Sequence, residues 1–299
     1  MRIRATVAAV TGALALSALA VPAAQAADTS SSFRTDAAKA FAAAHTAHTA
    51  HTAHSGITAF STSADTTALD VTFSNLKIAA AIKVGTTNKV ASTVTYTMTH
   101  GSDVDITSDD FATGPYIYKG SYDSPSNMLF GDYPATCTAT SSTTATCKGD
   151  IDIYPAEGEL INADAGTWSA GALALTYSNS AEADQGGLGT TKVQRYSTLN
   201  VNAGPEPVYK GKTVTSTGKL ARANWEDNKY HGYTNQPVKL QFRKAGTSTY
   251  TTVKTVYSDL YGNLKATATA TYDGYWRFSF AGTTTTPAVN AVGDYVDVR

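Results

Sequence analysis

The sequence predicts an all-β protein built as two tandem sandwiches, and three observations carry that prediction. Apolar and polar residues alternate at period two through many short runs. Gly, Pro, Asn and Asp punctuate those runs, and no amphipathic helical pattern interrupts them. A proline-bearing stretch, AGPEP at 203–207, divides the chain into two parts of ordinary domain size.

The first element is a leader. Arg2 and Arg4 precede an apolar run from Ala5 to Val21, and Ala24-Gln25-Ala26 is an A-x-A cleavage site, so residues 1–26 read as a secretory signal peptide. The two arginines are not adjacent, which favours the general secretory route, and there is no Cys near the cut to carry a lipid anchor. No later apolar run approaches the roughly 20 residues of a membrane span. Residues 27–66 are rich in Ala, Ser, Thr and His and offer little to bury. Arg34 to Ala44 suits a short helix too small to stand alone, so the segment is expected to be a disordered leader.

The first sandwich is expected over 67–204. LDVTFSNLKI and VASTVTYTMTH alternate well, with Val90, Val94, Tyr96 and Met98 on one parity. YIYKG, ATCTATS, TATCKGDIDIY, WSAGALALTYS and KVQRYSTLNVNA follow as further strands. Cys137 and Cys147 are symmetric about Ser142, so their strands can fold as a hairpin and bring the sulfurs together. A disulfide closing a loop of about eleven residues contributes roughly 3 kcal/mol on the chain-entropy account. With only two cysteines and a signal peptide, a structural disulfide is expected, not a metal or catalytic thiol.

The second sandwich is expected over 205–299. Val238, Leu240 and Phe242 alternate with Lys239, Gln241 and Arg243, and Trp276, Phe278 and Phe280 with Tyr275, Arg277 and Ser279. Tyr261-Gly262-Asn263 and Asp273-Gly274 mark turns. About seven strands in this length match an immunoglobulin-like count. The segments KGKTVTSTGKL, VKLQFRKAG, YTTVKTV, GNLKATATA, DGYWRFSFAG and GDYVDVR resemble the bacterial Ig-like (transthyretin-like) modules of secreted proteins. Gly274-Tyr275-Trp276-Arg277 matches their G-x-Y-R strand start, with Trp276 where Tyr is usual. The whole chain is similar to a family of secreted two-domain bacterial proteins, some labelled calcium-binding. The resemblance implies two Ig-like sandwiches and an extracellular location, and no activity.

Charge narrows the partners. Lys and Arg number 23 against 24 Asp and Glu, a net charge of −1, and loss of Arg2 and Arg4 makes it −3. Neither nucleic acid nor an anionic membrane surface is drawn to such a balance. The partner expected is an extracellular protein or polysaccharide.

Catalysis finds little support. The folded part holds His100 and His231 in different sandwiches, without a G-x-S-x-G elbow, an H-E-x-x-H pair or a P-loop. Asp150 and Glu157 are read as solvated carboxylates, and the chain as a non-enzyme. The repeat that carries His45, His48, His51 and His54 could bind Zn²⁺, Ni²⁺ or Cu²⁺. At a spacing of three, however, each imidazole turns by 60° from the last on a helix, so only neighbours chelate. The tract is read as weakly metal-binding at most.

Two candidate sites remain. The loop 223–236 joins Trp225, Tyr230, His231 and Tyr233 to Glu226, Asp227 and Asn228. Rings beside amides and carboxylates suit a sugar, but a large aromatic under its own loop more often plugs the end of a sandwich. Asp103, Asp105, Asp109 and Asp110 in SDVDITSDD could supply oxygens to calcium. Ser108 stands where an EF-hand needs its turn Gly and Gly114 where it needs Glu, so only a site at a strand end would serve. The expectation is therefore a secreted binding or scaffold protein without a cofactor. Calcium binding, then carbohydrate binding, then hydrolysis follow as alternatives.

Overall fold

The computed structural model describes residues 33–52 and 68–299. The expected signal peptide and His54 lie outside those residues, as do the side chains of His48 and His51. The described residues form one compact unit.

The first sandwich has nine strands: β1 Val71–Lys77, β2 Ile82–Val84, β3 Val90–His100, β4 Phe111–Gly120, β5 Pro125–Phe130, β6 Thr136–Ala139, β7 Thr144–Ile153, β8 Gly166–Thr176 and β9 Glu182–Arg195. One sheet runs β1-β3-β7-β6 and the other β2-β9-β8-β4-β5. All pairs are antiparallel except β2 with β9, where Ile82 lies opposite Val193. Val94, Tyr96 and Met98 face inward as their parity predicts, against Ile117, Trp168, Ala172 and Val193 of the other sheet. Cys137 and Cys147 are register partners on β6 and β7 and are joined, as expected, by a disulfide.

The second sandwich uses β10 Ser197–Leu199, β11 Asn202–Gly204, β12 Thr213–Asn224, β13 Lys229–Gly232, β14 Pro237–Lys244, β15 Thr251–Tyr257, β16 Asn263–Thr269, β17 Gly274–Phe280, β18 Val289–Asn290 and β19 Asp294–Val296. β12 pairs with β10, β11, β13 and β16, while β14 and β17 form the centre of the facing sheet with β15, β18 and β19 outside them. Val238, Leu240, Trp276, Phe278 and Phe280 fill the core between the sheets. Val208 bridges Val298 in parallel, repeating the β2–β9 arrangement. Two antiparallel sheets with this crossing pattern, twice in succession, make the chain a tandem of immunoglobulin-like sandwiches.

Two expectations need correction. The proline stretch places the boundary between 204 and 205, yet β10 and β11 already pair with β12, so the second sandwich begins at Ser197. Pro205 and Pro207 sit in the link between β11 and β12, where no ladder N–H is needed, and so mark a loop rather than a linker.

The leader is not wholly unstructured either. Helix α1, Phe33–Thr52, lies on the outer face of the β5-β4-β8 sheet. Phe33, Ala37 and Phe41 are buried there against Ala112, Tyr116, Tyr118, Phe130, Leu173 and Leu175. Gly114 makes room, since a Cβ there would sit 2.4 Å from the Phe33 ring. Arg34 fastens the first turn: it donates to Asp132 Oδ1 at 3.1 Å, to the carbonyls of Phe130 and Asp152, and to Glu159. The helix is too weak alone, but tertiary burial of one stripe supplies what propensity lacks.

Candidate functional site

The residues singled out in 223–236 are brought together, but not as a platform. Trp225 directly follows β12 and is 2% exposed, and it belongs with the core of the first sandwich, not the second. Its indole donates to the carbonyl of Gly85 at 2.9 Å, and its amide to Asn162 Oδ1 at 3.1 Å. Trp225 therefore plugs the neighbouring sandwich and cannot stack on a sugar, which corrects the platform reading. Tyr233 is half-buried beneath the Arg222 guanidinium, 3.9 Å above its ring. Tyr230 and His231 remain exposed, the latter 2.6 Å from Asp227.

Around Trp225 the seam is continuous. Arg195 Nε donates to the Ala223 carbonyl at 2.6 Å, Gln194 to Thr283 and Thr284, and Ser197 to Pro287. Burial, and then the nearby Arg222 charge, lower the Arg195 guanidinium to about 10.

The four aspartates do not converge. Residues 101–110 form successive turns, so Asp103 and Asp105 do not share the single face that an extended strand would give them. Asp105 is folded back on Thr107, accepting from its amide and hydroxyl, and those bonds lower its pKa. Asp110 accepts two bonds from Ser178. Among the described residues no three His, Cys, Asp or Glu side chains gather as a metal requires.

The most perturbed groups lie under α1. Tyr116 donates to Asp184 Oδ1 at 2.6 Å, and His45 Nε2 lies 3.2 Å from Oδ2. Burial raises Asp184, Tyr116 and Tyr122 alike. Glu182, two residues along the same strand, is pushed up to about 7 by burial and then by Asp184. In an open cleft such groups would be acid/base candidates. Here the Asp184 side chain is 6% exposed, and its partners fasten the helix to the sheet.

The surface left open is the outer face of β14 and β17. Period-two alternation turns Lys239, Gln241 and Arg243 outward on one strand and Tyr275, Arg277 and Ser279 on the next. Register sets Arg243 opposite Tyr275, Gln241 opposite Arg277, and Tyr275 opposite Tyr295 of β19. The Arg243 guanidinium lies 4.1 Å from the Tyr275 ring centre. Tyr250, from the β14–β15 loop, lies 3.7 Å under Arg277 and reaches over to Gly293, where any Cβ would strike its hydroxyl. Arg277 Nε donates to Gln241 at 2.9 Å and Arg243 to the Thr247 carbonyl. Sequence parity makes these residues outward-facing. What it lacks is the lateral register and the return of Tyr250 from a loop.

A second opening, a groove of about 680 Å³, lies where the other sheet meets the end of β15, between Asn200, Asn202, Lys219, Lys265 and Tyr257. Its carboxylate, Asp259, is spent on Tyr261 and Asn263.

No family model and no curated protein matches the chain. Among solved structures it is similar to a marsupial T cell receptor at 11% identity and TM-score 0.35, covering 76% of this chain and 73% of that one. It is also similar to the D00-D0 domain of intimin, at 15% identity and TM-score 0.26 over 75% and 99% of the two chains. The Yersinia pseudotuberculosis adhesin InvE matches at 14% and 0.25, over 74% and 58%. The immunoglobulin-like assignment stands on the strand pairing itself.

Proposed function

We propose that this chain is a secreted, non-catalytic extracellular binding protein, with its ligand surface on the open sheet of the second sandwich. The observation that carries this reading is a contrast between equivalent faces. In the first sandwich the outer face of β4 and β8 is covered by α1. In the second, the corresponding face of β14 and β17 carries tyrosines, arginines and a lysine, and among the described residues no helix covers it, only the Tyr250 side chain reaching in from the β14–β15 loop. The seam at Trp225 holds the two sandwiches together, so the first acts as a support for the second. The signal-peptide pattern and the disulfide both fit an oxidising compartment outside the cell. No helix of the described residues is long and apolar enough to cross a membrane. The resemblance of the second half to bacterial Ig-like modules agrees with the same reading.

The test is adsorption of the mature protein to insoluble envelope material from the cells that secrete it. Saturable retention without a released product is expected. Attaching a polymer to Ser279→Cys should abolish it, while the same polymer on Thr93→Cys, on the other sandwich, should not. Retention indifferent to the Ser279 block would move the ligand surface elsewhere.

A further inference from the structure

Two guanidinium groups lie on the open face without a counter-ion. Among the described residues no carboxylate comes within ion-pair distance of Arg243 or Arg277; the ion pairs present lie elsewhere. Their protein partners are neutral: a glutamine oxygen, a backbone carbonyl and tyrosine rings. Stacking on a ring fixes the plane of a guanidinium and leaves its edge N–H groups in solvent, the orientation that grips a planar or tetrahedral oxyanion.

The charges are also spaced. Gln241 faces Arg277 and Lys239 faces Ser279, so Arg243, Arg277 and Lys239 zigzag across two strands. Diagonal neighbours on such a pair stand about 7–8 Å apart. Gln241 and Ser279 lie between them as hydroxyl partners. On the β19 side the character changes, because the charges of Asp273, Asp297 and Glu206 are near enough to add to the upward shift that desolvation gives the Tyr295 phenol. The cationic track is therefore bounded along one edge.

We propose that this track binds a linear acidic polysaccharide, its carboxylate or sulfate groups seated on Arg243, Arg277 and Lys239. The inference rests on the binding role proposed above and names the chemistry of its ligand. A flat track with periodic charge fits an extended polymer better than a compact molecule, which needs a pocket. Nucleic acid is disfavoured because bases bind by stacking on free rings. Here Tyr250 and Tyr275 already carry guanidinium groups.

Binding of the mature protein is measured against polygalacturonate, dextran sulfate, neutral dextran and an oligothymidylate at two salt concentrations. Binding to the two acidic polymers and not to dextran is expected, weakening as salt rises. R243Q/R277Q should weaken it at least about tenfold, which is about 1.4 kcal/mol, since two charge-assisted contacts are lost. K239Q, which touches only an exposed side chain, should weaken it about threefold and guards against misfolding of the double variant. K265Q, in the other groove and on the other sheet, should change nothing. Equal affinity for dextran, tighter binding of oligothymidylate, or undiminished binding by both K239Q and the double variant would overturn the proposal. Should acidic polymers fail while envelope adsorption is still blocked at Ser279, the ligand chemistry is wrong and the binding surface stands. If the Ser279 block is also without effect, both fall.

Discussion

The indole nitrogen of Trp225 donates to the carbonyl of Gly85 across the seam between the sandwiches, 2.9 Å away. A residue at the end of a strand of one sandwich thereby completes the core of the other. The two halves should consequently unfold together. Trp225→Ala removes a large, 2% exposed side chain and orphans that carbonyl, at a cost of about 3–5 kcal/mol. Denaturant unfolding followed in both halves should show one transition in the wild type and two in the variant. Two transitions in the wild type would show that the seam carries no coupling.

The boundary makes a related prediction. A fragment starting at Glu206 loses β10 and β11, so β12 is left with unpaired backbone along part of its length. A fragment of residues 197–299 should give a dispersed amide spectrum and that of 206–299 a poorer one. Equal spectra would return the boundary to the prolines.

Deleting residues 28–55 should lower the melting temperature by several degrees and increase binding of a hydrophobic dye. It uncovers Tyr116, Tyr118, Phe130, Leu173 and Leu175 at once. Phe41→Ala alone should cost about 3 kcal/mol, at the low end for a buried Phe because the helix can detach. A deletion without thermal effect would restore the free leader.

These corrections show where sequence patterns stop. Strands with one buried face record it in their parity, so alternation alone turns Val238, Leu240, Trp276 and Phe278 inward. Cys137 and Cys147 are legible for the same reason, since a hairpin places symmetric residues opposite. Helix α1 is obscured by composition. Phe33, Ala37, Phe41 and His45 recur at a spacing of four, but alanines on every side erase the contrast that makes a stripe visible. For Trp225 the sequence favours a plug, but its target belongs to a partner 140 positions away. β10 and β11 have three residues each, too few for a period to show.

Calcium should leave the protein's melting temperature unchanged within error at about 10 mM, a concentration that would saturate a weak extracellular site. Asp105 is already satisfied by Thr107, and Asp110 by Ser178 on the β8–β9 connection. Binding an ion there would require breaking those bonds. Melting in EDTA and in calcium checks it, and a rise lost in D103N/D105N would reinstate the acidic loop as a site.

The last prediction concerns pH and rests on Glu182. Its Oε1 is buried without a hydrogen-bond partner among the described residues, and Asp184 lies two positions along the strand. Burial first, and that neighbouring charge second, raise the carboxyl from 4.5 to about 7. The native chain therefore keeps a proton that the unfolded chain releases between these values. Where the native state binds more protons, stability falls as pH rises. The contribution is full below about pH 4.5, declines across the interval, and is lost above about pH 7. Asp184, raised by burial in spite of its bonds to Tyr116, Tyr122 and His45, adds in the same direction. Glu182→Gln keeps the shape and removes the titration. The variant should match wild type near pH 4.5 and exceed it in stability at pH 8, with a flatter profile between. Urea midpoints across that range measure the difference. A wild type that gains on the variant as pH rises would mean that the ionised carboxylate has a partner.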